Sequence, residues 1–105
     1  MVDRLAKSLR RAGDILAEKV YSLRVDRGFT QEQLSHASGL SRNQVQNLER
    51  NRSNSKDERG LALPTNPRMD TFFALAIALE VDVAYLTDPS RPVEPVPERV
   101  PTLFD

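Results

Sequence analysis

TQEQLSHASGLSRNQVQNLER, residues 30–50, reads as two short capped helices that meet at a glycine. Thr30-Gln31-Glu32-Gln33 forms a capping box, in which the threonine oxygen takes an unpaired amide and Gln33 reaches back to the threonine N–H. Ser41-Arg42-Asn43-Gln44 repeats that pattern eleven residues later. Between the two boxes, Gly39 can close the first helix in the left-handed conformation that side chains resist. Helical spacing turns Leu34 and Ala37 inward from the first helix, and Val45 and Leu48 inward from the second.

Upstream, Leu5, Leu9, Ala12, Leu16, Val20 and Leu23 recur at steps of three and four, the spacing of one helix face. Lys7, Arg10, Arg11, Glu18, Lys19 and Arg24 lie largely off that stripe. Gly13-Asp14 interrupts it, because glycine weakens a helix interior and aspartate favours an N-cap. Two readings are open: one helix over about residues 4–26, or a short basic helix over 1–13 ahead of a domain at 14–88. Arg27-Gly28-Phe29 ends the segment. Downstream, residues 52–66 are polar and without a period, a loop longer than usual between helices. Asn66-Pro67 can cap and open a fourth helix. Residues 69–79 are apolar nearly all round, as in a helix buried on more than one side. Asp82 caps a short last helix through Leu86. Five prolines, at 89, 92, 95, 97 and 101, make residues 89–105 a tail that is extended or disordered rather than packed. That tail is expected to add little to folding. The fold class is therefore all-α, with five helices, a basic N-terminal helical extension and a Pro-rich tail.

Composition narrows the function. The chain has 105 residues, enough for one domain with tails. With no cysteine and one histidine, a metal site is not expected. No nucleophile–base pair appears beside His36, and Gly28, Gly39 and Gly60 are too scattered to cradle a phosphate, so neither catalysis nor a cofactor is expected. The longest apolar run, residues 72–79, has eight residues, against the ~20 that span a bilayer. The N-terminus lacks the apolar core of a signal peptide, and a soluble cytoplasmic protein is the expectation. Net charge is zero, but it is divided. Residues 1–59 carry 12 Lys/Arg against 8 Asp/Glu, and residues 60–105 carry 3 against 7. Such a division hints that the first half meets a polyanion.

Residues 30–50, with Leu23-Arg24 before them and Met69-Asp70-Thr71-Phe72, Ala76, Leu79, Val81 and Leu86 after them, resemble the phage repressor and Cro type of helix-turn-helix, also called the xenobiotic-response-element family. The resemblance covers about residues 15–88. It implies a double-stranded DNA partner and a second helix of the motif that enters the major groove. Residue chemistry points the same way. With Val45 and Leu48 inward, Arg42, Asn43, Gln46, Asn47 and Arg50 fall on the opposite side, and no acid interrupts them. Arginine matches guanine O6 and N7, and Asn or Gln pairs bidentately with adenine. The resemblance assigns base contacts to Arg42, Asn43 and Asn47, with Gln46 added. It makes Gln31 a phosphate contact at a helix N-terminus, and Ser41, Arg50 and Arg52 are counted with it. Glu49 would face DNA badly if free; its family counterpart pairs with an arginine that maps to Arg24, giving a structural ion pair. Two departures stand out: Ser35 replaces a usual alanine at the close contact between the two motif helices, where its hydroxyl needs a partner, and the 52–66 loop is longer than the family's.

The function so implied is a transcriptional regulator that reads a half-site with residues 41–51, as a homodimer sharing its last helices. The alternative is an antitoxin or adaptor that binds a protein partner through its tail, with Thr102-Leu103-Phe104 as an apolar anchor.

Overall fold

The computed structural model describes residues 2–100, with side chains from Arg4 onward. Among them five helices and no strand form a compact globule: α1 (Val2–Asp26), α2 (Gln31–Ser38), α3 (Arg42–Glu49), α4 (Met69–Leu79) and α5 (Val83–Thr87). The expected anchor at Thr102-Leu103-Phe104 lies outside the described residues. α1 is the spine. It packs on α3 and α5, while α2 bridges α3 and α4.

Of the two readings for the N-terminus, the structure holds one unbroken helix. Its stripe divides in use. Leu16, Val20 and Leu23 enter the core beside Leu34, Val45, Leu48, Leu75 and Leu79. Residues 4–11 are all exposed, so Leu5 and Leu9 stand in solvent although they share that face. Periodicity reports which residues share a face, and only the neighbouring elements decide how far along the helix that face is covered.

Gly13 does not interrupt α1, and a contact from another element explains it. Asn51, just beyond α3, adopts φ 48°, a left-handed conformation asparagine tolerates better than most residues. Its side chain lies flat on α1 at Gly13. The amide nitrogen donates to the Arg10 carbonyl at 2.9 Å and to the Asp14 carboxylate at 2.8 Å, and its oxygen accepts from the Thr65 N–H at 3.1 Å. A Cβ on Gly13 would overlap Asn51 Oδ1 and stand 2.7 Å from Cγ.

Lys19, a flanking polar residue by its place beside the stripe, is fully buried. Its Nζ donates to the carbonyls of Tyr85 at 2.7 Å and Asp88 at 2.9 Å, and sits 4.5 Å from the centre of the Tyr85 ring. Burial pushes its pKa below the usual lysine range, and Arg91 adds to this. Arg27 plays the matching part for α4, donating from Nε to the Leu79 carbonyl at 2.8 Å. The last carbonyls of a helix lack intrahelical partners and carry a partial negative charge. One cation within α1 and one just past its end thus each close a different helix.

Four local expectations need correction. Ala37 is exposed, because α2 turns Leu34 inward with Ser35 and Ser38 half-buried beside it. α4 starts at Met69 behind Arg68, which makes no side-chain cap, instead of at Asn66-Pro67. α4 is not covered all round either: Leu75, Ala76 and Leu79 are buried, while Met69 and Ile77 are 76% and 43% exposed. The tail is extended but packed. Val96 lies against the core, Tyr85 donates its hydroxyl to the Val93 carbonyl at 2.6 Å, and the Val100 N–H donates to the Glu80 carbonyl at 2.8 Å. Proline prevents helix, yet an extended strand can still cover apolar surface with every second or third side chain.

The packing of Asn51 and of the tail can each be tested by mutation. Gly→Ala inside a helix ordinarily stabilises by about 1 kcal/mol; Gly13→Ala should instead destabilise by about 1–3 kcal/mol, because the new methyl displaces Asn51 from three hydrogen bonds. A rise in the denaturant midpoint would contradict the contact. Truncation after Asp88 should cost about 2 kcal/mol, the sum of the Tyr85 bond and the cover over Val96's site. An unchanged thermal midpoint would mean that the tail does not hold the domain.

Candidate nucleic-acid interface

The interface begins with how α2 and α3 are held. Both capping boxes form: Thr30 Oγ1 accepts from the Gln33 N–H at 3.1 Å, Ser41 Oγ accepts from the Gln44 N–H at 3.0 Å, and each glutamine oxygen accepts the cap's own N–H. Gly39 sits at φ 77°, where an L side chain would be strained. The Ser35 hydroxyl finds its partner across the turn, donating to the Leu40 carbonyl at 2.6 Å.

Arg24 and Glu49 meet in a two-pronged contact. Nε donates to Oε2 at 2.7 Å and Nη2 donates to Oε1 at 3.0 Å, while Nη1 donates to the Phe29 carbonyl at 2.9 Å. Side-chain exposure is 13% and 6%, so solvent screens the pair little. The Gln31 amide donates to Glu49 Oε1 at 3.3 Å. The start of α2, the end of α3 and the last turns of α1 therefore converge on one carboxylate.

Arg42, Asn43 and Arg50 are exposed, as is the cap residue Ser41, and Gln46 is half-buried. Across this side of α3 the only carboxylate is Glu49, which Arg24 occupies. The face is cationic and rich in amides. Gln31 is half-buried and engaged with Glu49, so the structure gives it a local role beside any contact to DNA.

Asn47 departs from its expected place on the solvent side. It is buried, 8% exposed. The chain returns over it after α3: Arg52 Nε donates to Asn47 Oδ1 at 2.9 Å, and Asn47 Nδ2 donates to Asn54 Oδ1 at 3.0 Å and to Asn43 Oδ1 at 3.4 Å. A helical wheel drawn for α3 alone omits that return.

The 52–66 segment, a period-free loop by its sequence, contains an ordered hairpin. Ser53 N–H donates to the Leu63 carbonyl, Leu63 N–H to that of Ser55 and Asp57 N–H to that of Leu61, with Lys56 and Ala62 bridged. At the tip, Asp57 Oδ1 accepts from the N–H groups of Leu61 and Arg59 at 3.0 and 2.9 Å. Those amides, Leu61 first, hold the Asp57 carboxyl below the usual carboxylate range. The Asp-x-x-Gly pattern at residues 57–60 is a turn signature and the one local clue to the hairpin.

A family model described as helix-turn-helix matches residues 20–63, from the packed half of α1 to the closing arm of the hairpin. This stretch is a helix-turn-helix domain of the phage-repressor and Cro type. Its family ties it to DNA binding. The match ends before α4, so α4 and α5, which the sequence resemblance included, stand outside it. No curated protein matches the sequence. Among the described residues no helix is long and apolar enough to cross a membrane.

The helix-turn-helix geometry rests on a nearly dry ion pair, and that is testable. Glu49→Ala leaves Arg24 with the Phe29 carbonyl alone and should destabilise the fold by about 3 kcal/mol. Coinciding denaturant midpoints for wild type and variant would show that the pair contributes nothing.

Proposed function

We propose that the chain is a transcriptional regulator that binds double-stranded DNA sequence-specifically, with α3 in the major groove. The observation that carries this reading is the exposed side of α3, where Arg42, Asn43, half-buried Gln46 and Arg50 stand with no free carboxylate among them. Arg42 at the first turn of the helix, with Asn43 and Gln46, has the donors and acceptors that match base edges. Gln31, Ser41 and Arg50 serve the phosphates that border the groove, Gln31 from the amino end of α2.

Regulators of this kind read pseudo-palindromes as two-fold dimers, with half-sites about 34 Å apart. The large apolar residues of α5 are not free for a dimer, because Tyr85 and Leu86 are spent in the core and Val83 packs against it. What remains is the outer side of α4. Met69 and Ile77 are exposed there beside half-buried Phe73, and together they supply the face for a second copy.

Selection from a random DNA pool gives the operator and the spacing of its half-sites. On that operator, Arg42→Ala should keep the fold, lower affinity by about 1–3 kcal/mol and relax the preference at one base position in each half-site. Equal binding of wild type to the operator and to a scrambled duplex, at one stated salt concentration, would overturn sequence-specific reading.

A further inference from the structure

Where α1 leaves the core, a cavity of about 190 Å³ opens to solvent on one side. The middle of α1, the connection into α4, α4 itself and the start of the tail meet there. Leu16 and Leu86, both buried, form its inner wall with half-buried Phe72, while Leu9 and Pro89 stand exposed at the mouth. None of the lining residues carries a charge, in a chain where 29% of residues do. A carboxylate, phosphate or ammonium group would lose its water there and meet no opposite charge. Polar side chains come from Thr65, Asn66 and Thr87, and Thr87 already donates its hydroxyl to the Val83 carbonyl at 3.2 Å. Drug-sized ligands occupy sites of ~300–1,000 Å³, whereas an apolar cavity of ~150 Å³ holds one benzene ring. The space here suits one substituted ring or a short branched chain.

The same walls hold the exit of α3. Gly13 lines the cavity and is the residue on which Asn51 lies. Thr65 lines it too, and its N–H donates to Asn51 Oδ1 at 3.1 Å. Asn51 in turn donates from Nδ2 to the Arg10 carbonyl and the Asp14 carboxylate of α1. It stands directly after Arg50, the C-cap of α3. A molecule seated in the cavity therefore bears on the groups that fix where α3 ends.

We propose that this cavity is a binding site for a small, neutral, apolar ligand carrying at most one hydroxyl or amide group, and that its occupancy favours the placement of α3 seen here. The site stands on the cavity alone, whereas its coupling to DNA rests on the DNA-binding reading above. A ligand shifts an equilibrium only by its preference for one arrangement over another. This ligand prefers the arrangement in which the cavity is formed, and it supports Gly13 and Thr65 against movement of Asn51. Affinity for the operator rises as a result, and the operator raises affinity for the ligand by the same factor.

The test uses the full chain, with phenol and toluene as ligands and benzoate, a charged ring of similar size, as the control. Followed through backbone amide NMR shifts, phenol and toluene should give saturable changes at Gly13, Thr65 and Asn51, and benzoate none. Ala12→Leu grows a half-buried lining residue into the cavity and should abolish these changes. Leu9→Arg, at the exposed mouth, should weaken binding of both neutral rings and serves if Ala12→Leu fails to fold. Saturating phenol should raise affinity for the selected operator by about fivefold or more. Asn51→Gly keeps the left-handed backbone available and removes the linking side chain, so it should still bind phenol but lose that rise. Shifts that never saturate, persist in both Ala12→Leu and Leu9→Arg, or appear equally with benzoate would overturn the site. Saturable phenol binding with unchanged operator affinity, in a wild type that still prefers its operator to a scrambled duplex, would overturn the coupling alone. A loss of self-association on adding phenol would assign the cavity to a side chain from a second copy instead. Equal binding of both duplexes by wild type would remove the DNA reading, and the titration without DNA would still decide the site.

Discussion

The contact between Arg24 and Glu49 does two things that α3 cannot do for itself. A helix of eight residues is too short to be stable alone in water, so its position must come from tertiary contacts. The fork of Arg24 supplies one, fixing the end of α3 to α1 with both carboxylate oxygens engaged. It also neutralises the single acid of the helix. Without it, a carboxylate would stand beside Arg42, Gln46 and Arg50 and repel a phosphate backbone. Because Gln31 donates to the same carboxylate, α2 is registered against α3 through that one group.

α1 extends this arrangement through the rest of the molecule. A domain of this size has little apolar surface to bury, and much of its tertiary definition comes from polar groups placed on helix ends. Lys19 and Arg27 bind the carbonyls that α5 and α4 leave unpaired, and the cost of burying two cations is offset by short bonds to those carbonyls. Asn51 ties the exit of α3 to α1 where glycine leaves room. The docked tail completes the set by covering Tyr85 and bonding to Glu80. Apart from the Tyr85–Val93 bond, each of these contacts joins α1 or the end of α4 to a segment distant in sequence. α3 is therefore held by a frame rather than by its own motif alone.

α2 and α3 are legible in the sequence alone, down to both capping boxes, Gly39 and the inward Leu34, Val45 and Leu48. Those features depend on residues within four positions of one another, and a short window contains all their partners. The resemblance supplies Arg24–Glu49, which no local pattern gives. What the sequence hides has another range. Lys19 reaches Tyr85 across 66 positions and Arg27 reaches Leu79 across 52, and nothing about a lysine or arginine beside an apolar stripe marks it for burial. Asn47 reads as a surface amide because the wheel places it away from Val45. Gly13 reads as a break because its justification, Asn51, lies beyond the next two helices.

The sequence by itself determined α2 and α3, their caps and the acid-poor side of α3, because backbone hydrogen bonding and helical period are set by near neighbours. Only the tertiary structure decided which parts of those faces remain in water. It left Leu5, Leu9, Met69 and Ile77 exposed, buried Lys19 and Asn47, folded the tail onto the domain and ordered the hairpin beside α3. Exposure is a property of what packs above a residue, and that is fixed by contacts between segments whose spacing along the chain carries no period.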